Sequence, residues 1–115
     1  MRASDVADAI AVVTPVSLPD RFALDGYVID SLMPDLVGHD RSASAFLVYL
    51  LLWRRTRGGT RPTVVSHRML ADGTGLAKRS VQVALQHLLR RELVDVKRTT
   101  STSASTVRVL CHWRG

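Results

Sequence analysis

The run Phe46-Leu47-Val48-Tyr49-Leu50-Leu51-Leu52-Trp53 carries no polar side chain apart from the tyrosine hydroxyl. Ser42 or Ser44 caps a helix ahead of it, and Gly58-Gly59 ends that helix just past Arg57. A helix that is apolar on every face has to be surrounded. In a chain of 115 residues the neighbours come from the amino-terminal segment, from the helices that follow, or from a second copy. A homodimer is therefore the expected assembly. The apolar stretch from Ala45 to Trp53 spans nine residues, well short of the roughly 20 needed to cross a bilayer. The expectation is a core helix with no membrane partner.

The length fits one domain, and 46% hydrophobic residues supply one core. Charge is divided unevenly along the chain. Residues 1–40 hold two basic and seven acidic side chains, whereas residues 41–115 hold fourteen basic and three acidic ones, for an overall charge of +6. This suggests an acidic helical or irregular extension over 1–41, followed by a basic domain over 42–115. A basic surface on that scale points to a polyanionic partner. Within the extension, Val6, Ile10 and Val13 line up as a short helix over 1–14 capped by Ser4. Pro15 and Pro19 mark irregular chain. Asp25 to Val37 has a helical rhythm that Pro34 interrupts, and Gly38 to Arg41 reads as a loop. Asp5, Asp8 and the break at Thr14-Pro15 do not read as a secretory leader. The lone Cys111 rules out an internal disulfide and a multi-cysteine zinc site, so a cytoplasmic protein is expected.

Beyond the apolar helix, Thr60 to Val65 is a short extended piece around Pro62. Ser66 caps a brief helix, His67 to Asp72. Gly73-Thr74-Gly75 forms a turn, and a second helix runs from Ala77 to about Glu92. Two strands follow. In the first, Val94 and Val96 alternate with Asp95 and Lys97. In the second, Val107, Val109, Cys111 and Trp113 alternate with Arg108, Leu110, His112 and Arg114. Thr99 to Thr106 between them is a polar, uncharged loop. Helix, short strand, helix, turn, helix, strand, loop, strand is the order of a winged helix-turn-helix, a mainly α fold with a small β-hairpin wing (α+β). Met69 to Leu88 carries the local signature. Two crossing helices need a small residue at their contact, here Ala71, and a glycine for the left-handed turn, here Gly75. They also need buried aliphatics after it, here Leu76, Val81 and Leu85.

A helical wheel separates the two faces of the second helix. Val81, Ala84, Leu85 and Leu88 cluster on the core side, with Leu89 at its edge. Arg79, Val83, Gln86 and Arg90 lie opposite, flanked by Gln82 and His87. That outward set suits a DNA major groove, since Arg pairs with guanine, Gln with adenine, and Val touches a thymine methyl. Ser66, Arg68, Thr74, Lys78 and Ser80, near helix ends and the turn, are placed for phosphates. Arg98 and Arg108 flank the base of the hairpin and straddle the backbone, with Thr99 and Thr100 beside them in the wing.

The stretch from Tyr27 to Arg98 resembles the amino-terminal DNA-binding domain of phage replication-initiator and replisome-organiser proteins. The shared features are V-I-D-S-L-M from Val28, L-V-Y-L-L-L-W-R-R-T from Leu47, L-A-D-G-T-G-L-A-K-R-S-V from Leu70 and L-L-R-R-E-L-V from Leu88. The tri-helical part is also similar to bacterial winged-helix transcriptional regulators. The resemblance implies that Lys78, Arg79, Ser80 and Gln82 begin a recognition helix. Ala77 stands where those families usually place a Ser or Thr cap, an interaction worth about 1 kcal/mol. The expected function is sequence-specific binding of double-stranded DNA by a small transcriptional regulator that acts by occupying its site. The alternatives are a replication initiator or accessory factor on origin DNA, and a winged-helix protein–protein interaction module.

Enzyme readings find no support in the sequence. His39, His67, His87 and His112 lack metal-ligand spacing, and Cys111 and His112, adjacent on a strand, point to opposite faces. Cys111 reads as a small buried residue, and Trp53 and Trp113 as core or interface. The glycine pairs lack the context of a phosphate-cradling loop. No cofactor, metal or small-molecule ligand is legible.

Overall fold

The computed structural model describes residues 18–98 and 104–114. The helix expected over 1–14, together with Thr99 and Thr100, lies outside the described residues. Helix α1 spans Ala43–Arg55, α2 His67–Thr74 and α3 Lys78–Arg90. Strands β1 (Thr63–Val65), β2 (Val94–Arg98) and β3 (Ser105–Val109) form an antiparallel sheet in the order β1-β3-β2. The fold is mixed, with helices packed on a three-stranded sheet.

The apolar helix finds its neighbours within the chain. Ala45, Phe46, Val48, Tyr49, Leu52 and Trp53 are buried, Leu50 and Leu51 pack against the same core, and only Leu47 is well exposed, at 42%. Three sources cover α1: α2 and α3 on one side, β3, and the acidic lead-in. The sequence argument for a dimer through this helix therefore loses its premise. Ser42 supplies the cap, its hydroxyl accepting from Ala45 N at 3.3 Å. Past Arg55, Arg57, Gly58 and Gly59 all adopt positive φ, a conformation open to glycine at little cost. The buried Thr56 hydroxyl donates to the Leu52 carbonyl at 2.7 Å and accepts from Gly59 N at 3.1 Å, which secures this end.

The lead-in departs from expectation. It is helical through Pro34, as two π-wound segments, Val28–Leu32 and Pro34–His39, joined by Met33 in helical conformation. Proline breaks a helix by lacking a donor and by clashing with the preceding turn. Here Pro34 opens the second segment, and wider i→i+5 bonds such as Met33 N to Val28 O carry the chain past it. Gly38 and His39, expected in a loop, belong to that segment. Val28, Leu32 and Leu36, four apart, are buried in the same core as α1, whereas Ile29, Met33 and Val37 face outward. Each such buried aliphatic side chain is worth about 1.5–3 kcal/mol.

The α2–α3 unit keeps its expected glycine and aliphatic spacing, but Gly73 and Thr74, expected in the turn, close α2, and α3 ends at Arg90 rather than near Glu92. Gly75 takes φ 81°, and its N–H closes α2 by donating to Ala71 O at 2.8 Å. Ala77 is extended and gives α3 no side-chain cap. Val81, Ala84, Leu85 and Leu88 are the buried side of α3. In the sheet, Val94 pairs with Val109 and Val96 with Val107, which turns one face of β2–β3 toward the helices. The second strand is shorter than its alternation suggested and starts earlier. Ser105 and Thr106, expected in the loop, belong to β3, while Cys111 lies beyond it and His112–Arg114 form a 3-10 turn. The alternation failed as a guide because Trp113 follows a different partner. Its indole stacks on Tyr27 at 4.5 Å and donates to Asp25 at 2.9 Å.

Candidate nucleic-acid interface

The outward side of α3 is open along its first three turns. Lys78, Arg79, Gln86 and Arg90 are exposed, and Val83 is 50% exposed among them. Ala77, the exposed residue before α3, makes no side-chain cap bond to the first N–H groups. The positive end of the helix therefore faces outward beside two cationic side chains.

A residue group that sequence reasoning missed lies opposite. Arg41, Ser42 and Ser44, at the start of α1, face Arg79, Ser80 and Val83 across a groove of about 470 Å³. Arg41 holds φ 54°, the left-handed region that an arginine seldom occupies. Ser42 N donates to Leu36 O at 2.8 Å, which fixes this corner against the lead-in. Nothing local in the sequence links Arg41 to Arg79. The one available hint was that the basic two-thirds of the chain begins at Arg41.

Other expected contacts are tied up. The Ser66 hydroxyl caps α2 by accepting from Met69 N at 3.1 Å. Thr74 donates to Leu70 O at 2.7 Å and accepts from Leu76 N at 3.2 Å. The Ser66 hydroxyl is committed to the start of α2 and the Thr74 hydroxyl to its end. Gln82 is half-buried, and its Nε2 lies 3.4 Å from His67 Nδ1 on α2. Arg68 is exposed on α2, apart from these bonds. In the sheet, Arg98 pairs with Ser105 and Arg108 with Asp95. Residues 98 and 108 thus fall on opposite faces, because side chains alternate along a strand. The two side chains therefore approach from different sides of the hairpin. Arg108 also stands directly across from an acidic side chain, whereas Arg98 ends the β2 ladder.

The far end of α3 is anchored to the lead-in. Arg91 bridges Asp35 and Asp40, and His87 Nε2 lies 2.7 Å from Asp40. Arg90 Nη2 approaches His87 Nδ1 at 3.3 Å. His39 and His87, both bonded to Asp40, together with the nearby Arg91, hold the Asp40 carboxyl down to about 2, against the cost of its burial. The acidic segment so anchors the end of α3 through His87 and Arg91 and leaves Arg79, Val83 and Gln86 open.

Asp35, His39 and Asp40 bring three potential ligand atoms within 4.8 Å of one another. Arg91 already occupies the counter-ion position of both carboxylates, so this cluster does not fit a metal. Cys111 is half-buried, and burial pushes its thiol up, away from the thiolate. His112 Nε2 lies 2.6 Å from the Glu92 carbonyl in the terminal turn, so the expected Cys–His strand geometry does not occur. No described helix is long and apolar enough to cross a membrane. Compared with protein-family models, curated proteins and solved structures, the chain finds no match.

Proposed function

We propose that this is a winged helix-turn-helix protein that binds double-stranded DNA in a sequence-specific way and regulates transcription by occupying its site. The observation that carries the reading is the open first half of α3, with Arg79, Val83 and Gln86 outward and its uncapped start beside the Arg41 groove. In this reading α3 enters the major groove. Arg79 and Gln86 read purine edges there, and Val83 meets a thymine methyl. Lys78, Ser80 and Arg41 hold the flanking phosphates, with Arg68 on the adjacent strand of the duplex. The β2–β3 pair acts as the wing, and Arg98 is its phosphate contact. Of the acidic residues 20, 25, 30, 35 and 40 on the lead-in, Asp35 and Asp40 lie nearest this face and are paired with Arg91.

The resemblance to phage initiator domains favours the same surface, so origin binding shares these contacts and differs in the arrangement of sites. Selection of bound duplexes from a random pool tests the reading. A single palindromic or asymmetric winner fits a regulator, and tandem copies fit an initiator. On the selected site, Arg79→Ala costs about 1–3 kcal/mol and relaxes base preference, whereas Arg98→Ala weakens all duplexes alike and flattens the salt slope. Equal binding by both variants and the parent would remove α3 from the interface.

A further inference from the structure

Where the start of the described chain crosses the end of α1 and the terminal turn, four guanidinium groups gather around one recess. They belong to Arg21, Arg54, Arg57 and Arg114, and among the described residues Asp25 is the one carboxylate that lines the same recess. That carboxylate is already committed: it accepts from Arg114 Nε at 2.8 Å and from Trp113 Nε1 at 2.9 Å. Arg114 also donates to Gly58 O at 3.0 Å. Arg54 donates to Pro19 O at 2.9 Å, a neutral carbonyl. Arg21 is exposed. Among the described residues, neither Arg21 nor Arg54 has a carboxylate within ion-pair distance.

Cations in the last turn of a helix complement its dipole, and Arg54 and Arg55 fill that role for α1. The dipole does not account for Arg21 and Arg114, which reach the same place from distant stretches of chain. Like charges gathered in this way repel, and an anion among them removes the cost. Arg suits phosphate, because its planar fork donates two parallel bonds to one anion. The site offers charge without a stacking platform: Arg54 lies over the Phe22 ring, Arg114 lies over Trp53, and the indole is 1% exposed. It therefore has nothing with which to read a base. Position supplies the remaining constraint. Arg41, Ser42 and Ser44 stand at the start of α1 and this cluster at its end, and a helix of 13 residues sets them about 20 Å apart. We infer that the Arg21–Arg54–Arg114 cluster is a second, sequence-independent site for the phosphate backbone of duplex DNA, so that one molecule joins two duplex segments. The identity of the polyanion rests on the reading of α3 given above.

The full chain, saturated with its selected duplex on a solid support, is titrated at low salt with a fluorescent duplex of unrelated sequence. A second binding step is expected, in which the immobilised complex captures the unrelated duplex and releases it as salt rises. Arg21→Gln changes an exposed side chain and leaves the core untouched. It should weaken the second step at least threefold and lower its log–log salt slope by about 1. Arg21→Gln combined with Arg54→Gln should weaken it at least tenfold and lower the slope by about 2. Neither variant should change affinity for the selected duplex at moderate salt, whereas Arg79→Ala should weaken that first step and leave the second as it is. Absence of capture, or capture that the folded double variant retains in full, would overturn the inference. A fault in the α3 reading gives a different result: the free chain selects no duplex, while its Arg21-dependent, salt-steep binding of the unrelated duplex persists and upholds the phosphate site.

Discussion

Asp40→Asn tests whether the lead-in is pinned to α3 by charge. Asp40 is 7% exposed at its side chain and accepts from Arg91, His87 and His39. Its carboxyl falls from the ordinary 3.8 to about 2. At about 1.4 kcal/mol per tenfold change, that fall corresponds to about 2–3 kcal/mol of stability at neutral pH. Screening near the surface reduces the figure to about 1–2 kcal/mol. The sign follows from a depressed folded value. The contribution is present above the unfolded value near 4 and is lost as pH falls through about 2. Urea denaturation of parent and variant at pH 7, 4 and 2.5 should therefore show a gap of about 1–2 kcal/mol at pH 7 that narrows toward pH 2. A gap that stays constant with pH would refute the ion-pair account and leave only packing. His39 works in the opposite sense: its raised value makes its contribution present below 6.5 and lost as pH rises past the folded value.

Two further substitutions bear on the fold. Tyr49→Phe should leave stability unchanged or raise it by up to about 1 kcal/mol in urea denaturation, because the buried hydroxyl has no oxygen or nitrogen partner among the described residues; a clear loss would mean that the neighbouring Cys111 thiol accepts from it. Gly75→Ala should cost about 1 kcal/mol, since φ 81° rather than crowding limits the site. A neutral result would show that the turn relaxes to another conformation.

The part of this fold set by neighbours in the chain was legible. Ala71, Gly75, Leu76, Val81 and Leu85 stand at the spacing a tight helical turn needs, and the turn forms there. The buried and exposed sides of α3 also follow directly from its period. What failed had partners far along the chain. Arg91 meets Asp40 and Asp35 across 51 and 56 residues, and no periodicity reports such a pairing. Pro34 read as a break because the wider π turn that accommodates it has no sequence signature of its own. Alternation through Trp113 suggested a longer strand, yet the indole is held by Tyr27 and Asp25, which overrides strand propensity. Arg41 was invisible as a site residue for the same reason, as its position opposite Arg79 is a product of packing.

Amide chemical-shift mapping with a selected duplex tests the central claim most directly. At moderate salt, the perturbations should centre on Lys78 to Gln86 and on Arg41 to Ser44, and should fade as salt rises because counterions are released on binding. Perturbations centred instead on Arg21 and Arg54, or none with any duplex, would contradict the account.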